Sequence, residues 1–305
     1  NIRRNTRKTN GIIRSHSATK NAYIGRFAPS PTGPLHLGSL FTALASFLQA
    51  RKSQGRWLLR IDDLDTSRLA PGAIENILTT LDAYGLHWDG EVAYESQWLE
   101  HYQNAIDQLT KNDLTYPCTC SRKQLARYRL RKPEIITYPE FCRTRQHSRT
   151  NPHSLRIKTP SQIISVFDAL HGQQQQKIHQ EIGDFIIKRR DHIFSYQLAV
   201  VVSDHLQNIT EIVRGIDLLD STPRQVFLQQ QLGFATPHYQ HVPIIVDALG
   251  AKLSKQAFAN PVHTKNMCQT LFYLLTQLQQ NPPHELTSAP LNELLDWAIS
   301  SWDIK

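Results

Sequence analysis

Three groups of residues in this chain have the types and spacing to do chemistry. His36 and Gly38 follow the proline- and glycine-rich corner of RFAPSPTGPLHLGSLFTALASFLQA, residues 26–50. Lys252 and Lys255 flank a serine in GAKLSKQ, residues 250–256. Cys118 and Cys120 lie in CTC, and Cys142 ends YPEFC.

A strand that ends in a glycine-containing turn and enters a helix leaves backbone N–H groups free at the helix start. The helix dipole adds partial positive charge there, which suits a phosphate. Gly38 has no side chain, so a flat nucleotide can lie against the backbone. His36 can donate a hydrogen bond to a phosphate oxygen. The pattern is not a P-loop, which requires Gly-Lys-Ser/Thr. Alone, the corner reads equally as a rigid turn carrying a stray histidine. Two lysines in a glycine-led loop can hold a polyphosphate and offset charge that develops on it. Alone, they read more readily as a solvated basic loop. The three cysteines offer three thiolates, where structural zinc takes four ligands. Tyr138 and His147 are the local candidates for the fourth, and free thiols remain the alternative. Cys268, in MCQTLFYLLTQL, reads as a core residue on a helix.

The elements that must carry these residues follow from periodicity. AYIGRFA (22–28) and GRWLLRIDD (55–63) read as buried strands, separated by a helix over 37–54 with Leu40, Leu44, Phe47 and Leu48 on one side. APGAIENILTTLDAYGL (70–86) reads as a helix with Pro71 near its start and Gly85 near its end. Strand, helix, strand, helix predicts an α/β fold with a parallel sheet. An amphipathic helix is expected over 97–111. SLRIKT and ISVFDAL read as strands, and GQQQQKIHQ (172–180) as a polar connector. Residues 184–215 suggest a hairpin and a return to the sheet. TPRQVFLQQQLGF (222–234) is a helix stopped by Gly233, and two more helices are expected near 265–280 and 290–302.

Composition sets the broad class. The chain has 305 residues, 40% of them hydrophobic, enough for one large domain or two smaller ones with real cores. No apolar run approaches the roughly 20 residues of a membrane span. No apolar stretch follows the basic N-terminus, which argues against a secretory signal. Four cysteines in this length suggest a reducing, cytoplasmic setting. The net charge of +8 is concentrated at the start: Arg3, Arg4, Arg7, Lys8, Arg14 and Lys20 face no acidic residue among the first 20. That segment lacks periodicity and reads as a disordered basic tail.

Taken together, PLHLGS and the later KLSK resemble the paired signatures of the class I aminoacyl-tRNA synthetases. GRFAPSPTG, RIDDLD, GLHWDG, YQLAVVVSDH and EIVRGIDLL, in that order, narrow the resemblance to the glutamyl branch. It covers about residues 22–256. Ser39 stands where relatives often carry a second histidine, Gln256 replaces a final serine, and Asp62 stands where relatives usually carry glutamate. A full glutamyl-tRNA synthetase continues into a helical anticodon-binding region, for which residues 257–305 are too few. The chain is therefore similar to the glutamyl-Q tRNA(Asp) synthetases, a family of shortened glutamyl-type enzymes.

The resemblance implies a Rossmann-type catalytic domain with a parallel sheet, an inserted zinc-binding subdomain and a short C-terminal helical region. The expected division is a tail over 1–20, catalytic halves over 21–115 and 184–256, the insertion over 116–183 and the helical region over 257–305. It implies ATP-dependent activation of L-glutamate without tRNA, then transfer to the queuosine at the wobble position of tRNA(Asp). A truncated enzyme charging tRNA(Glu) and a non-catalytic RNA-binding paralogue are the alternatives. ATP would be held by His36, Gly38, Ser39, Lys252 and Lys255, with Lys255 and His36 catalytic and Mg2+ accompanying the nucleotide. Glutamate would meet Arg26, Phe27, Ala28, Pro29, Ser30, Asp62, Tyr196 and Arg214. One structural Zn2+ would be held by Cys118, Cys120, Tyr138 and Cys142. The partners implied are ATP, L-glutamate and queuosine-bearing tRNA(Asp), with no membrane, and the chain is expected to be a monomer. Arg122, Lys123, Arg127, Arg129, Arg131 and Lys132 are candidates for tRNA phosphates.

Overall fold

The computed structural model describes residues 22–134, 137–144, 152–243, 245 and 261–304. Strand β1 (Ile24–Phe27) pairs in parallel with β2 (Arg56–Ile61), Ile24 opposite Arg56 and Phe27 opposite Leu59. β2 pairs in parallel with β3 (Ala93–Tyr94). Helix α1 (Leu37–Lys52) makes the crossover between β1 and β2. It is buried on most of its circumference, from Leu40 to Ala50. β2 is buried from Trp57 to Ile61, as a strand covered on both faces must be. α2 (Ala73–Ala83) and α3 (Leu99–Lys111) follow. α2 begins two residues beyond Pro71, after Gly72 in a left-handed conformation.

A second sheet has the order β7-β6-β10-β9. Here β6 is Ile164–Asp168, β7 Gly172–Gln176, β9 Glu211–Gly215 and β10 His238–Val242. β9 and β10 are parallel, joined through α7 (Thr222–Leu232), which stops at left-handed Gly233 (φ 72°). β9 begins beside β1: Thr210 N donates to Ile24 O at 2.9 Å, and Ile24 N donates to Thr210 Oγ1 at 2.9 Å. From this seam β1 leads outward to β2 on one side and β9 to β10 on the other. A reversal of strand order of this kind opens a crevice at the carboxyl ends of the two central strands.

A third sheet is antiparallel, with β5 (Ser154–Ile157) between β4 (Thr115–Cys118) and β8 (Phe185–Lys188). It carries α4 (Arg122–Arg131), started by a capping box between Ser121 and Gln124. A tight turn bridges Lys188 and Phe194, and α6 (Tyr196–Leu206) returns the chain to the parallel sheets. The short α5 (Ile178–Glu181) precedes β8. Strand pairing crosses the expected division at 183/184. β8, beyond it, pairs with β5, and β6 and β7, before it, belong with β10 and β9.

GQQQQ, expected to be part of a connector, is instead β7, paired antiparallel with β6 from Ile164–Gln176 to Asp168–Gly172. It is an edge strand, so its pairing comes from β6 and not from an apolar pattern of its own. Asp168 Oδ1 makes the turn by accepting from Leu170 N and His171 N, both at 3.0 Å. The helices Met267–Gln277 and Leu291–Ser301 pack against the core that contains α1. Cys268 is half-buried on the first of these, its Sγ 3.2 Å from Leu286 O. Among the described residues, no helix is long and apolar enough to cross a membrane.

Candidate functional site

A cavity of about 850 Å3 opens at the carboxyl ends of β1 and β9. It is lined by Arg26 to Ser30, His36, Gly38, Ser39, Asp62, Tyr196 and Arg214. The sequence-predicted nucleotide and glutamate residues with described positions therefore share one cavity. Thr42, Arg68, Gly215, Asp217 and Leu218 also line it and were not anticipated. Lys252 and Lys255 lie outside the described residues, as do Gln256, His147 and the basic tail. The two flanks of that lysine segment meet the site: Ile245 lines the cavity, and Pro261 forms an antiparallel bridge with His36.

His36 caps α1. Its Nδ1 accepts from Ser39 N at 3.2 Å, which assigns the proton to Nε2. Burial lowers its pKa, so the ring is neutral at physiological pH. Nε2 is 3.0 Å from Ser39 Oγ, so the serine in the unexpected position completes a local unit with His36.

The floor of the cavity is a buried ion network. Arg26 meets Asp204 fork to fork, Nε to Oδ1 at 3.0 Å and Nη2 to Oδ2 at 3.2 Å. Arg60 donates from Nη1 to Asp204 Oδ1 at 2.7 Å and to Gln207 Oε1 at 3.0 Å, and from Nε to Asp62 Oδ1 at 2.8 Å. Burial pushes the Asp62 carboxyl above its usual range, with Asp204 adding to the effect and Arg60 opposing it. Burial raises Glu95 well above the carboxylate range, and the neighbouring Asp62 adds to this. Asp204 stays low: burial alone would raise it, and its pairs with Arg26 and Arg60 prevail.

On the opposite wall, Arg214 is held at three corners. Nε donates to His241 Nε2 at 2.9 Å, Nη1 to Gln225 Oε1 at 2.8 Å and Nη2 to Thr222 Oγ1 at 2.8 Å. His241 Nδ1 donates in turn to Asp168 Oδ2 at 2.6 Å. Across this floor and wall Arg26, Arg60 and Arg214 are set against three carboxyl groups, Asp62, Asp168 and Asp204. Arg26 and Arg214 thus enter the cavity already partnered. Sequence reasoning missed Asp204, Arg60, His241 and Asp168. The signals were an aspartate at the end of the apolar run LAVVVSD and a histidine inside the apolar strand before Pro243.

The third predicted constellation also assembles. Tyr138 Oη lies 3.3 Å from Cys118 Sγ and 3.5 Å from Cys120 Sγ, and Cys120 Sγ is 3.6 Å from Cys142 Sγ. The three sulfurs lie within 4.8 Å of one another. A tetrahedral zinc about 2.3 Å from each sulfur sets them about 3.8 Å apart, so the donor set fits the ion. Without a metal, burial pushes the Cys120 thiol up to about 11. Arg156 donates from Nε to Cys118 Sγ at 3.2 Å and stacks 3.7 Å from the Tyr138 ring centre. It supports the cluster from outside, as a partner to a ligating thiolate does.

Residues 24–271 match the family described as tRNA synthetases class I (E and Q), catalytic domain. The chain is 48% identical to the glutamyl-Q tRNA(Asp) synthetase of Thiobacillus denitrificans, over 93% of this chain and 94% of that one. It is 47% identical to that of Pseudomonas putida, over 94% of each chain. Among solved structures, it resembles a glutamate tRNA ligase from Elizabethkingia meningosepticum in complex with its amino acid. That match has a TM-score of 0.71 and 29% identity, covering 79% of this chain and 54% of that one.

Proposed function

The chain belongs to the glutamyl-Q tRNA(Asp) synthetase family, a ligase family built on the class I catalytic domain, and from that premise we propose that it activates L-glutamate with ATP and passes it to the queuosine of tRNA(Asp). The observation that carries the reading is that Arg26, Arg214 and Asp62 line one cavity at the β1–β9 seam. Glutamate has two carboxylates and one ammonium, a net charge of −1. It meets two buried guanidinium groups and one buried carboxylate. Arg26 and Arg214 take the carboxylates, and Asp62 takes the ammonium through the oxygen that Arg60 leaves open. Tyr196 supplies a hydroxyl at the rim. His36, Gly38, Ser39 and the start of α1 take the nucleotide.

In activation an α-carboxylate oxygen attacks the α-phosphorus of ATP, and the bond to the bridging oxygen of pyrophosphate breaks. Glutamyl-adenylate and pyrophosphate result. The protein supplies no covalent nucleophile; it positions the reactants and offsets the charge that builds on the phosphate. Neutral His36 serves as a donor, and Lys252 and Lys255 serve as cations on the polyphosphate. Mg2+ bound to ATP supplies further charge neutralisation when present. In transfer, a hydroxyl of the cyclopentenediol ring of queuosine attacks the acyl carbon. AMP leaves, and the hydroxyl proton goes to solvent or to the departing phosphate. Cys118, Cys120, Tyr138 and Cys142 hold one Zn2+, whose role is structural.

The test incubates the protein with ATP, labelled glutamate and separate pools of tRNA(Asp) and tRNA(Glu), with and without queuosine. Label on queuosine-bearing tRNA(Asp) alone, lost when the diol is blocked, supports the reading. Label at the 3′ end of tRNA(Glu) overturns its acceptor, and absence of glutamate-dependent pyrophosphate exchange overturns its chemistry.

A further inference from the structure

A second cavity, of about 300 Å3, lies between α4 of the antiparallel subdomain and α7 of the parallel sheets. Its walls include three arginines from three different elements: Arg129 on α4, Arg156 on β5 and Arg224 on α7. The acidic member of the lining, Asp184, is already satisfied by Tyr116 Oη at 2.7 Å, Thr159 N at 2.7 Å and Thr159 Oγ1 at 2.9 Å. Arg156 is held by Cys118 Sγ at 3.2 Å and Asp184 O at 2.6 Å, which leaves Arg129 and Arg224 as the cations facing the cavity. Arg224 is the least provided for. Its Nη2 makes long contacts to Ser221 Oγ (3.2 Å) and Asp220 O (3.4 Å), and its Nε is buried with no hydrogen-bond partner. A buried donor without an acceptor is costly unless a ligand supplies one.

The cavity adjoins the activation site. Successive residues at the start of α6 face the two cavities, Tyr196 the larger and Gln197 the smaller. Gln197 also accepts from Gln225 Nε2 at 3.0 Å, and Gln225 holds Arg214. On its outer side the cavity is flanked by α4, which carries Arg122, Lys123, Arg127, Arg129 and Arg131, no acidic residue and no buried side chain. A row of cations leading to a pocket suits a polyanion that runs along the surface, more than a lone small anion.

We propose that this cavity is a phosphodiester subsite for the RNA acceptor, in which Arg224 and Arg129 hold a backbone phosphate next to the nucleoside that receives glutamate. Arg224 Nε–H and Arg129 donate to the phosphate oxygens, and α4 tracks the strand beyond. The proposal rests on the functional reading above for the identity of the RNA. It goes beyond that reading in saying where the strand is gripped.

The experiment measures binding of queuosine-bearing tRNA(Asp) by filter retention at several salt concentrations, for the intact wild-type chain, Arg224→Gln, Arg224→Lys and Arg129→Gln. Arg224→Gln and Arg129→Gln should each weaken tRNA binding about tenfold and lower the salt slope by about 1, as expected for one lost phosphate contact. Arg224→Lys should recover part of the slope, because it keeps the charge while losing the fork. Glutamate-dependent pyrophosphate exchange, measured without tRNA, should stay within about twofold of wild type. Inorganic phosphate at millimolar concentration should compete weakly with tRNA for wild type. If it saturates the arginines and tRNA affinity does not change, the ligand is a free anion and the proposal fails. An unchanged tRNA affinity and salt slope in both Gln variants overturns it. So does a parallel fall in exchange, which would mark Arg224 as support for Arg214. Arg129 is exposed, so its variant carries the test even if Arg224→Gln folds poorly. If the wild type binds the tRNA but labels a different acceptor, the functional reading fails while the subsite is still judged by binding.

Discussion

Arg214 Nε lies 2.9 Å from His241 Nε2, and the far nitrogen of the same ring donates to Asp168 Oδ2 at 2.6 Å. This chain fixes the tautomer. Arg214 is always a donor, so Nε2 must accept and the ring proton must sit on Nδ1, where Asp168 receives it. Asp168 Oδ1 is also committed, to the amides of Leu170 and His171. A turn of the β6–β7 hairpin therefore sets the orientation of a guanidinium in the main cavity.

Asp168→Asn tests that relay. If the amide NH2 faces His241, the ring must place its proton on Nε2, against Arg214. If the amide oxygen faces His241, the NH2 points at the amides of Leu170 and His171. Either way a buried donor meets a donor. The glutamate KM in pyrophosphate exchange should rise by about 10- to 100-fold, with the ATP KM within about twofold of wild type. A glutamate KM equal to that of wild type in a folded variant would show that Arg214 orients itself.

The same relay gives a pH dependence. Burial lowers the His241 pKa below its ordinary 6.5, and Arg214 pushes the same way, while Asp168 opposes them. A group depressed in the folded state contributes stability above its unfolded pKa and loses it as pH falls through the folded pKa. Glutamate affinity should thus be flat from pH 8 to about 6.5 and weaken only below that value. Calorimetric titration of glutamate across pH 5 to 8 checks this. A midpoint of loss above 6.5 would contradict the assigned neutral imidazole.

Metal content follows from the sulfur geometry. Protein purified without chelator should carry one zinc per chain by elemental analysis, and Cys142→Ser or prolonged chelation should remove it. The antiparallel sheet then loses the link between Cys118 on β4 and the segment carrying Tyr138 and Cys142. A fall in Tm of several degrees is expected, because a ligand bound only by the folded state stabilises it by mass action. Zinc-free protein with an unchanged Tm would make the cluster a set of buried thiols.

What was legible in the sequence divides by the range of the contact. α1, β1, β2 and the Gly233 stop follow from local periodicity and turn chemistry, and they lie within a few residues of the expected bounds. The glutamate residues and the described nucleotide residues stood out through motifs, and they share a cavity because Arg26 on β1, Arg214 on β9, Asp62 after β2 and the start of α1 meet at the β1–β9 seam. The partners of those residues were not legible. Asp204 is 178 positions from Arg26, and Asp168 is 73 from His241. No pattern in one stretch specifies an ion pair with another. β7 was missed for the related reason that an edge strand takes its pairing from its neighbour. Cys118, Cys120 and Cys142 were legible as three thiolates within a short span, while the fourth place stood open between Tyr138 and His147 and Tyr138 came from the family resemblance.

The last prediction concerns Arg60, which is fully buried and stands between Asp62 and Asp204. Its removal, as Arg60→Leu, leaves Asp204 with Arg26 alone and Asp62 without its direct ion-pair partner. Breaking a buried pair by deleting one member costs about 3–5 kcal/mol at neutral pH. The cost must shrink in acid. Without Arg60, the folded-state pKa of Asp62, already raised by burial, rises further above its unfolded value. A carboxyl raised in the folded state is stabilised by protonation, so the variant regains stability as pH falls through that raised pKa. Urea unfolding of wild type and variant at pH 7.5 and pH 5.5 measures both quantities. The gap between their midpoints should narrow at the lower pH. A gap that stays constant would mean that the loss comes from the packing of the long Arg60 side chain and not from its charge.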